Sequence, residues 1–139
     1  MQLLSRCVVN NVFQITVLTL AITVASQVRA QSVTPMRGVA KSFTDEFAIR
    51  LTVGNPYKRP IQFDVRVYDE HFEPVDATVG AGVVRIGAEG TRQVTVRVPF
   101  LGESSRKVRV CAEGYFGRDN KSAVRTQVCG RFLGQQVGQ

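Results

Sequence analysis

The sequence predicts an all-β fold, with two antiparallel sheets packed face to face. Three observations lead there. Apolar and polar residues alternate with period two in separate segments along the chain. Glycine, proline and asparagine punctuate the chain between those segments. No segment carries the helical period after the first thirty residues. Period two gives each strand one buried and one wet face. Strands without helices between them disfavour a parallel α/β sheet and fit a sandwich. The length of 139 residues allows one domain. A composition of 44% hydrophobic and 21% charged residues excludes wholesale disorder, collagen and coiled coil.

The first thirty residues stand apart. Arg6 gives a positive start, Val12 to Ala25 forms an apolar run, and Val28-Arg29-Ala30 supplies a short-side-chain cleavage site. This order is that of a secretory signal peptide. The apolar run is shorter than the roughly 20 residues a spanning helix needs. The expected organisation is therefore a signal peptide over 1–30, a β-sandwich domain over 31–133 and a frayed tail over 134–139. Cleavage removes Arg6, Arg29 and Cys7. Sixteen basic residues then face eleven acidic ones. The expected location is periplasmic or secreted, with no stable membrane insertion once the signal is removed.

The strands follow in order. Val33 to Phe43 supplies a first edge strand. Phe47, Ile49, Leu51 and Val53 alternate with polar or small neighbours, and Gly54-Asn55-Pro56 ends that strand. Ile61, Phe63, Val65 and Val67 form the next, closed by Glu73-Pro74. Ala77 to Ile86 supplies one or two short strands among glycines. Val94, Val96 and Val98 alternate until Pro99, which cannot donate in a ladder. Val108 and Val110, then Val124, Thr126 and Val128, form the last pair, joined by the turn cluster Gly117 to Lys121. The expected core includes Phe47, Ile49, Leu51, Phe63, Val65, Val96 and Val110.

Two cysteines remain after cleavage, Cys111 and Cys129, an even count that reads as a disulfide in an exported chain. A hairpin centred on Asn120 places them directly opposite each other. Parity puts both on the wet face, beside Arg109 and Arg125. No C-x-x-C redox motif is present.

The stretch FAIRLTVGNPYKRPIQFDVRVYDEHFEPV, followed by VVRIGAEGTRQVTVRVPF, carries a family resemblance. A strand ends in Asn at a turn, Pro opens the next strand, and a D-x-x-x-x-P-V turn follows. These features resemble the N-terminal immunoglobulin-like domain of the periplasmic pilus-assembly chaperones, PapD-like proteins. The resemblance covers about Thr34 to Phe132. It implies an immunoglobulin-like antiparallel sandwich of about seven strands. Such chaperones have two domains with the subunit groove between them, and this length accommodates the first domain alone. The resemblance further implies that Arg37, in the early strand, anchors a partner's terminal carboxylate. A second basic anchor in the last strand falls on Arg125 or Arg131. Guanidinium forks suit carboxylates, and an unpaired sheet edge adds a partner strand through main-chain hydrogen bonds. Cys129 departs from the family pattern by tying the last strand to its neighbour.

The remaining residues point to no reaction. Arg50, Arg66, Arg97, Arg109, Arg125 and Arg131 share wet-face parity, an ordinary solvated face or a surface for an acidic partner. No aromatic ladder interleaves them, which argues against nucleic acid. Asp69, Glu70, His71, Glu73 and Asp76 form an acidic turn without metal-loop spacing. His71 is the one histidine, so a hydrolase would have to use it, and no nucleophile elbow, P-loop or dinucleotide fingerprint occurs. Asn120-Lys121-Ser122 matches a glycosylation sequon. The sequence reading is a non-enzymatic, chaperone-like exported module without metal or cofactor, which engages a protein partner through sheet-edge strands and basic anchors. That partner is an extended segment or an envelope protein. The alternative is a structural or accessory envelope domain without a client.

Overall fold

The computed structural model describes residues 31–116 and 124–138. The expected signal peptide, the turn at 117–121, the sequon at 120–122 and the last residue lie outside the described residues. Nine strand segments run in chain order. They are β1 (Ser32–Thr34), β2 (Arg37–Ser42), β3 (Glu46–Gly54), β4 (Ile61–Tyr68), β5 (Thr78–Val79), β6 (Val83–Ile86), β7 (Thr91–Pro99), β8 (Ser105–Phe116) and β9 (Val124–Gln136). They form a four-stranded sheet in the order β1-β3-β7-β5 and a five-stranded sheet in the order β2-β9-β8-β4-β6. The sandwich is the predicted one. The segment count exceeds the expected seven or so because the early strand is divided and the stretch 77–86 supplies two short strands rather than one.

The first division positions the site. The early strand is broken at Pro35, where the Thr34–Pro35 peptide is cis. Before it, β1 pairs antiparallel with β3. After it, β2 crosses to the other sheet and pairs parallel with β9, Arg37 opposite Arg131. One edge strand therefore serves both sheets. The second division gives β5 to one sheet and β6 to the other, across Gly80 and Gly82.

The core lies between the sheets and is built from the alternating positions. Phe47, Ile49, Leu51, Phe63, Val65, Val96 and Val110 are all buried, as expected, with Val33, Val53, Val84, Phe100 and Phe132 among the others. The Phe47 and Phe100 rings meet with centroids 4.9 Å apart. The turn after β3 is pinned by buried Asn55. Its Nδ2 donates to the carbonyls of Arg59 (2.8 Å) and Gly87 (2.8 Å), and its Oδ1 accepts from Tyr57 N–H (3.1 Å). These bonds satisfy a polar side chain that burial would otherwise penalise.

The tail expected to fray from residue 134 is ordered instead. β9 continues to Gln136, whose N–H donates to Ser104 O at 2.8 Å, and Val137 N–H donates to Ser42 O at 2.8 Å. Gly134 is buried where the Phe47 ring lies against the strand, a place a Cβ would occupy. A residue without a Cβ is what lets the tail pack there.

Phe63→Ala should lower the unfolding free energy by about 3–5 kcal/mol in urea titration, as for other large-to-small core changes. Reducing Cys111–Cys129 should lower it by about 3 kcal/mol through restored loop entropy.

Candidate partner-binding face

Strand register arranges the outer face of the five-stranded sheet in rows. β8 lies between β4 and β9, so its outward residues Arg109, Cys111 and Glu113 each have neighbours on both sides. Cys111 faces Cys129 and Arg66 across the strands, Glu113 faces Gln127 and Asp64, and Arg109 faces Arg131 and Tyr68.

The middle row is the disulfide. Cys111 and Cys129 are bonded, with Cα atoms 4.0 Å apart. That spacing belongs to a pair whose main-chain groups point away from each other. The hairpin arithmetic and the outward face were as expected, but Cys111 is fully buried rather than wet. The central strand of a sheet this wide is covered by the long side chains beside it.

One flanking row holds a buried carboxylate. Glu113 is fully buried on the outer face. Its Oε1 accepts from the Tyr68 hydroxyl at 2.6 Å and from Gln127 Nε2 at 3.0 Å. Arg125 Nη2 forms an ion pair with Oε2, and Arg66 Nε lies 3.9 Å from the same oxygen. Arg66 also binds Asp64 Oδ2 at 2.7 Å. Burial raises the Glu113 pKa. The Tyr68 and Arg125 hydrogen bonds and the two guanidinium charges outweigh burial and hold the carboxyl below its usual range. Burial, and then the hydrogen bond to Glu113, push the Tyr68 phenol up.

The other flanking row is cationic. Arg37 on β2, Arg131 on β9 and Arg109 on β8 stand in register across three adjacent strands. With Lys107, Glu70, Val39 and Leu133 they line a cavity of about 610 Å³. Among the described residues neither Arg37 nor Arg131 has an ion-pair partner. Lys107 Nζ lies 3.6 Å from Glu70 Oε2, both well exposed. Arg109 stacks over the Phe72 ring, 4.5 Å from its centroid, and donates to Glu70 O at 3.3 Å. The acidic turn thus acts as a wall of the cavity. Asp69 Oδ1 accepts from Glu73 N–H at 2.9 Å and from His71 N–H at 2.8 Å. The Glu73 bond, and then the His71 bond, hold its carboxyl low against burial.

The last strand is an edge over only half its length. Arg131 N–H donates to Met36 O at 2.8 Å, so its main chain faces β2. By alternation, the main-chain groups of Arg125, Gln127 and Cys129 face the same side. β2 begins opposite Arg131, and among the described residues no strand flanks β9 ahead of it on that side. Beyond that point β2 is itself the sheet edge, with Arg37, Val39 and Lys41 exposed and the residues between them half-buried.

The structure therefore brings Arg37 and Arg131 together and puts Arg125 elsewhere, two outward positions beyond the disulfide and in an ion pair with Glu113. Arg50 and Arg97 lie on the outer face of the other sheet, so the six arginines of common parity do not make one face. Sequence reasoning missed Glu113, Tyr68, Lys107 and the closeness of Arg109 to Arg131. The outward parity of Lys107-Arg109-Cys111-Glu113 carried the signal for all but Tyr68. Among the described residues no group of three or more His, Cys, Asp or Glu is placed to hold a metal ion. Among the described residues there is no helix long and apolar enough to cross a membrane.

No protein-family model and no curated protein matches the chain. Solved structures do. The Salmonella enterica SafA pilin in complex with the SafB chaperone matches at TM-score 0.63 and 16% identity, over 82% of this chain and 58% of that one. The Escherichia coli chaperone DraB matches at TM-score 0.63 and 17% identity, over 78% and 55%. WR4, a Caenorhabditis elegans MSP family member, matches at TM-score 0.55 and 9% identity, over 75% of this chain and 96% of that one. The fold is thus that of the immunoglobulin-like, PapD-like sandwich. The chain spans less than two thirds of the two chaperone-containing chains.

Because Glu113 has a lower pKa folded than unfolded, its stabilisation is complete above the unfolded carboxylate value of about 4.3. It is lost as pH falls through the folded value. Glu113→Gln should cost about 2 kcal/mol at neutral pH, the scale of hydrogen bonds to a charged group. The gap to wild type should shrink in urea titrations run below about pH 4.

Proposed function

We propose that this domain is a non-enzymatic, chaperone-like module of the periplasm or secreted space that binds an extended segment of a partner protein. The segment adds to the open stretch of β9, residues 124–130, as a further strand of the five-stranded sheet. Arg37 and Arg131 hold its terminal carboxylate. One observation carries the reading: the open stretch of β9 runs directly into the Arg37–Arg131 pair, where β2 closes the edge. A strand added there has to stop at two guanidinium groups that have no ion-pair partner among the described residues. Main-chain pairing supplies affinity that depends little on sequence, and the arginines supply register. Arg125 takes a structural part through Glu113. No cofactor or metal enters this reading.

A second reading, an envelope domain without a client, is favoured by the match that covers 96% of the WR4 chain, in which the sandwich is nearly the whole chain.

The test is a nine-residue peptide of alternating Val and Thr with a free carboxyl terminus, titrated into the protein from Gln31 onward. Binding should slow hydrogen exchange at the Gln127 and Cys129 amides. Arg37→Ala should weaken it about tenfold, or 1.4 kcal/mol, while stability stays within about 0.5 kcal/mol. Arg125→Ala should do the reverse, lowering stability and leaving affinity nearly unchanged. The envelope-domain reading predicts no exchange protection at all.

A further inference from the structure

The cationic row is longer than a terminal carboxylate requires. Arg37 and Arg131 are enough to grip one carboxylate bidentately. Arg109 stands in register next to Arg131, and Lys107 lines the same cavity one outward position away. Like charges directly opposite each other across strands are destabilising. Three guanidiniums in a row repeat that penalty. The one carboxylate in the cavity wall, Glu70, is half-exposed and lies beside Lys107, a pairing of small net value.

Arg109 is also held in place at a cost. Phe72, which it stacks on, has a left-handed backbone with φ of 65°, unfavourable for a bulky residue. The Asp69 carboxylate and the Asp69 N–H to Glu73 O bond (2.9 Å) fix the turn in that form. The guanidinium gains a ring face and one carbonyl from this arrangement, yet its Nε is buried without a hydrogen-bond partner. Beside it Arg131 and Arg37 have no ion-pair partner among the described residues, and an anion would relieve the repulsion among the three.

Resting on the strand-capture reading, we propose that the captured segment ends in an acidic residue. Its last side chain, as well as its terminal carboxylate, enters a cup in which Arg109 and Lys107 extend the Arg37–Arg131 pair. The captured strand lies beside β9 and so two strand spacings, about 10 Å, from β8; a glutamate side chain and the Arg109 side chain, extended toward each other over Arg131, together span that distance. Two carboxylates against four cations and Glu70 bring the cup near neutrality, whereas one leaves two positive charges in excess. Val39 and Leu133, side by side in the same wall, accept the methylene stem of that side chain.

Four probes test this. The Val/Thr peptide is made with a final Glu or a final Gln, each as free acid and as amide, and titrated by fluorescence anisotropy. The Glu-ended free acid should bind about tenfold more tightly than the Gln-ended free acid, a factor equal to 1.4 kcal/mol, and the factor should shrink with added salt. Arg109→Gln should remove most of that factor. Because Arg109 packs on Phe72, exposed Lys107→Gln serves as the second variant and should reduce the factor severalfold in a domain with wild-type stability. Equal binding of the Glu- and Gln-ended acids to wild type overturns the inference and leaves strand capture intact, as does a Glu preference that survives both variants. If no probe protects the Gln127 and Cys129 amides, strand capture fails and this inference fails with it.

Discussion

The parallel pairing of β2 with the second half of β9 is the constraint on which the rest depends. The chain spends three residues in one sheet, turns at Pro35 and spends six in the other. That crossing closes one side of the sandwich with a single segment. It also decides how much of β9 is covered. Had the first strand stayed in the four-stranded sheet, all of β9 would be an edge and Arg37 would be far from Arg131. Because it crosses where it does, the open main chain, the start of β2 and two arginines meet at one point. Site and fold have the same cause.

Charge on the outer face follows a division of labour imposed by register. Glu113 is buried, and a buried carboxylate without partners is costly. Arg125, Arg66, Tyr68 and Gln127 meet that need from both neighbouring strands. Their charges are balanced within the row. Two outward positions along β9, on the far side of the disulfide, no such acid pairs with the row of Arg37, Arg131 and Arg109 among the described residues. The disulfide separates a neutralised region from an un-neutralised one. It also secures β9 to β8 between them, so that the strand with the open edge is held from its other side.

Much of this is legible in the sequence, and the reasons differ by residue. The strands are legible because Val and Ile at every second position build one apolar face on a strand and none on a helix. Cys111 and Cys129 are legible because a hairpin is a short-range object whose register is arithmetic. Arg37 and Arg131 are legible through family likeness. Their meeting is not, since β2 and β9 are at opposite ends of the chain and pair in parallel. Arg125 and Arg131 are equal candidates by sequence; the pairing of Arg37 with Arg131 and the ion pair of Arg125 with Glu113 separate them. Glu113 itself looks like one more charge on a wet face. Burial of an outward residue arises from what covers it, and Tyr68 belongs to a strand forty-five positions away. The tail misleads because glycine reads as looseness in a sequence, whereas Gly134 is small to admit the Phe47 ring.

The exposed alternation of Arg37, Val39 and Lys41 along β2 governs how copies of this chain meet one another. If two β2 edges paired antiparallel about Val39, Arg37 of one copy would lie directly against Lys41 of the other, twice over. Repulsion at both ends of so short a strand opposes sheet-to-sheet growth. The edge that continues the open stretch of β9 is thereby disfavoured for pairing with its own copy.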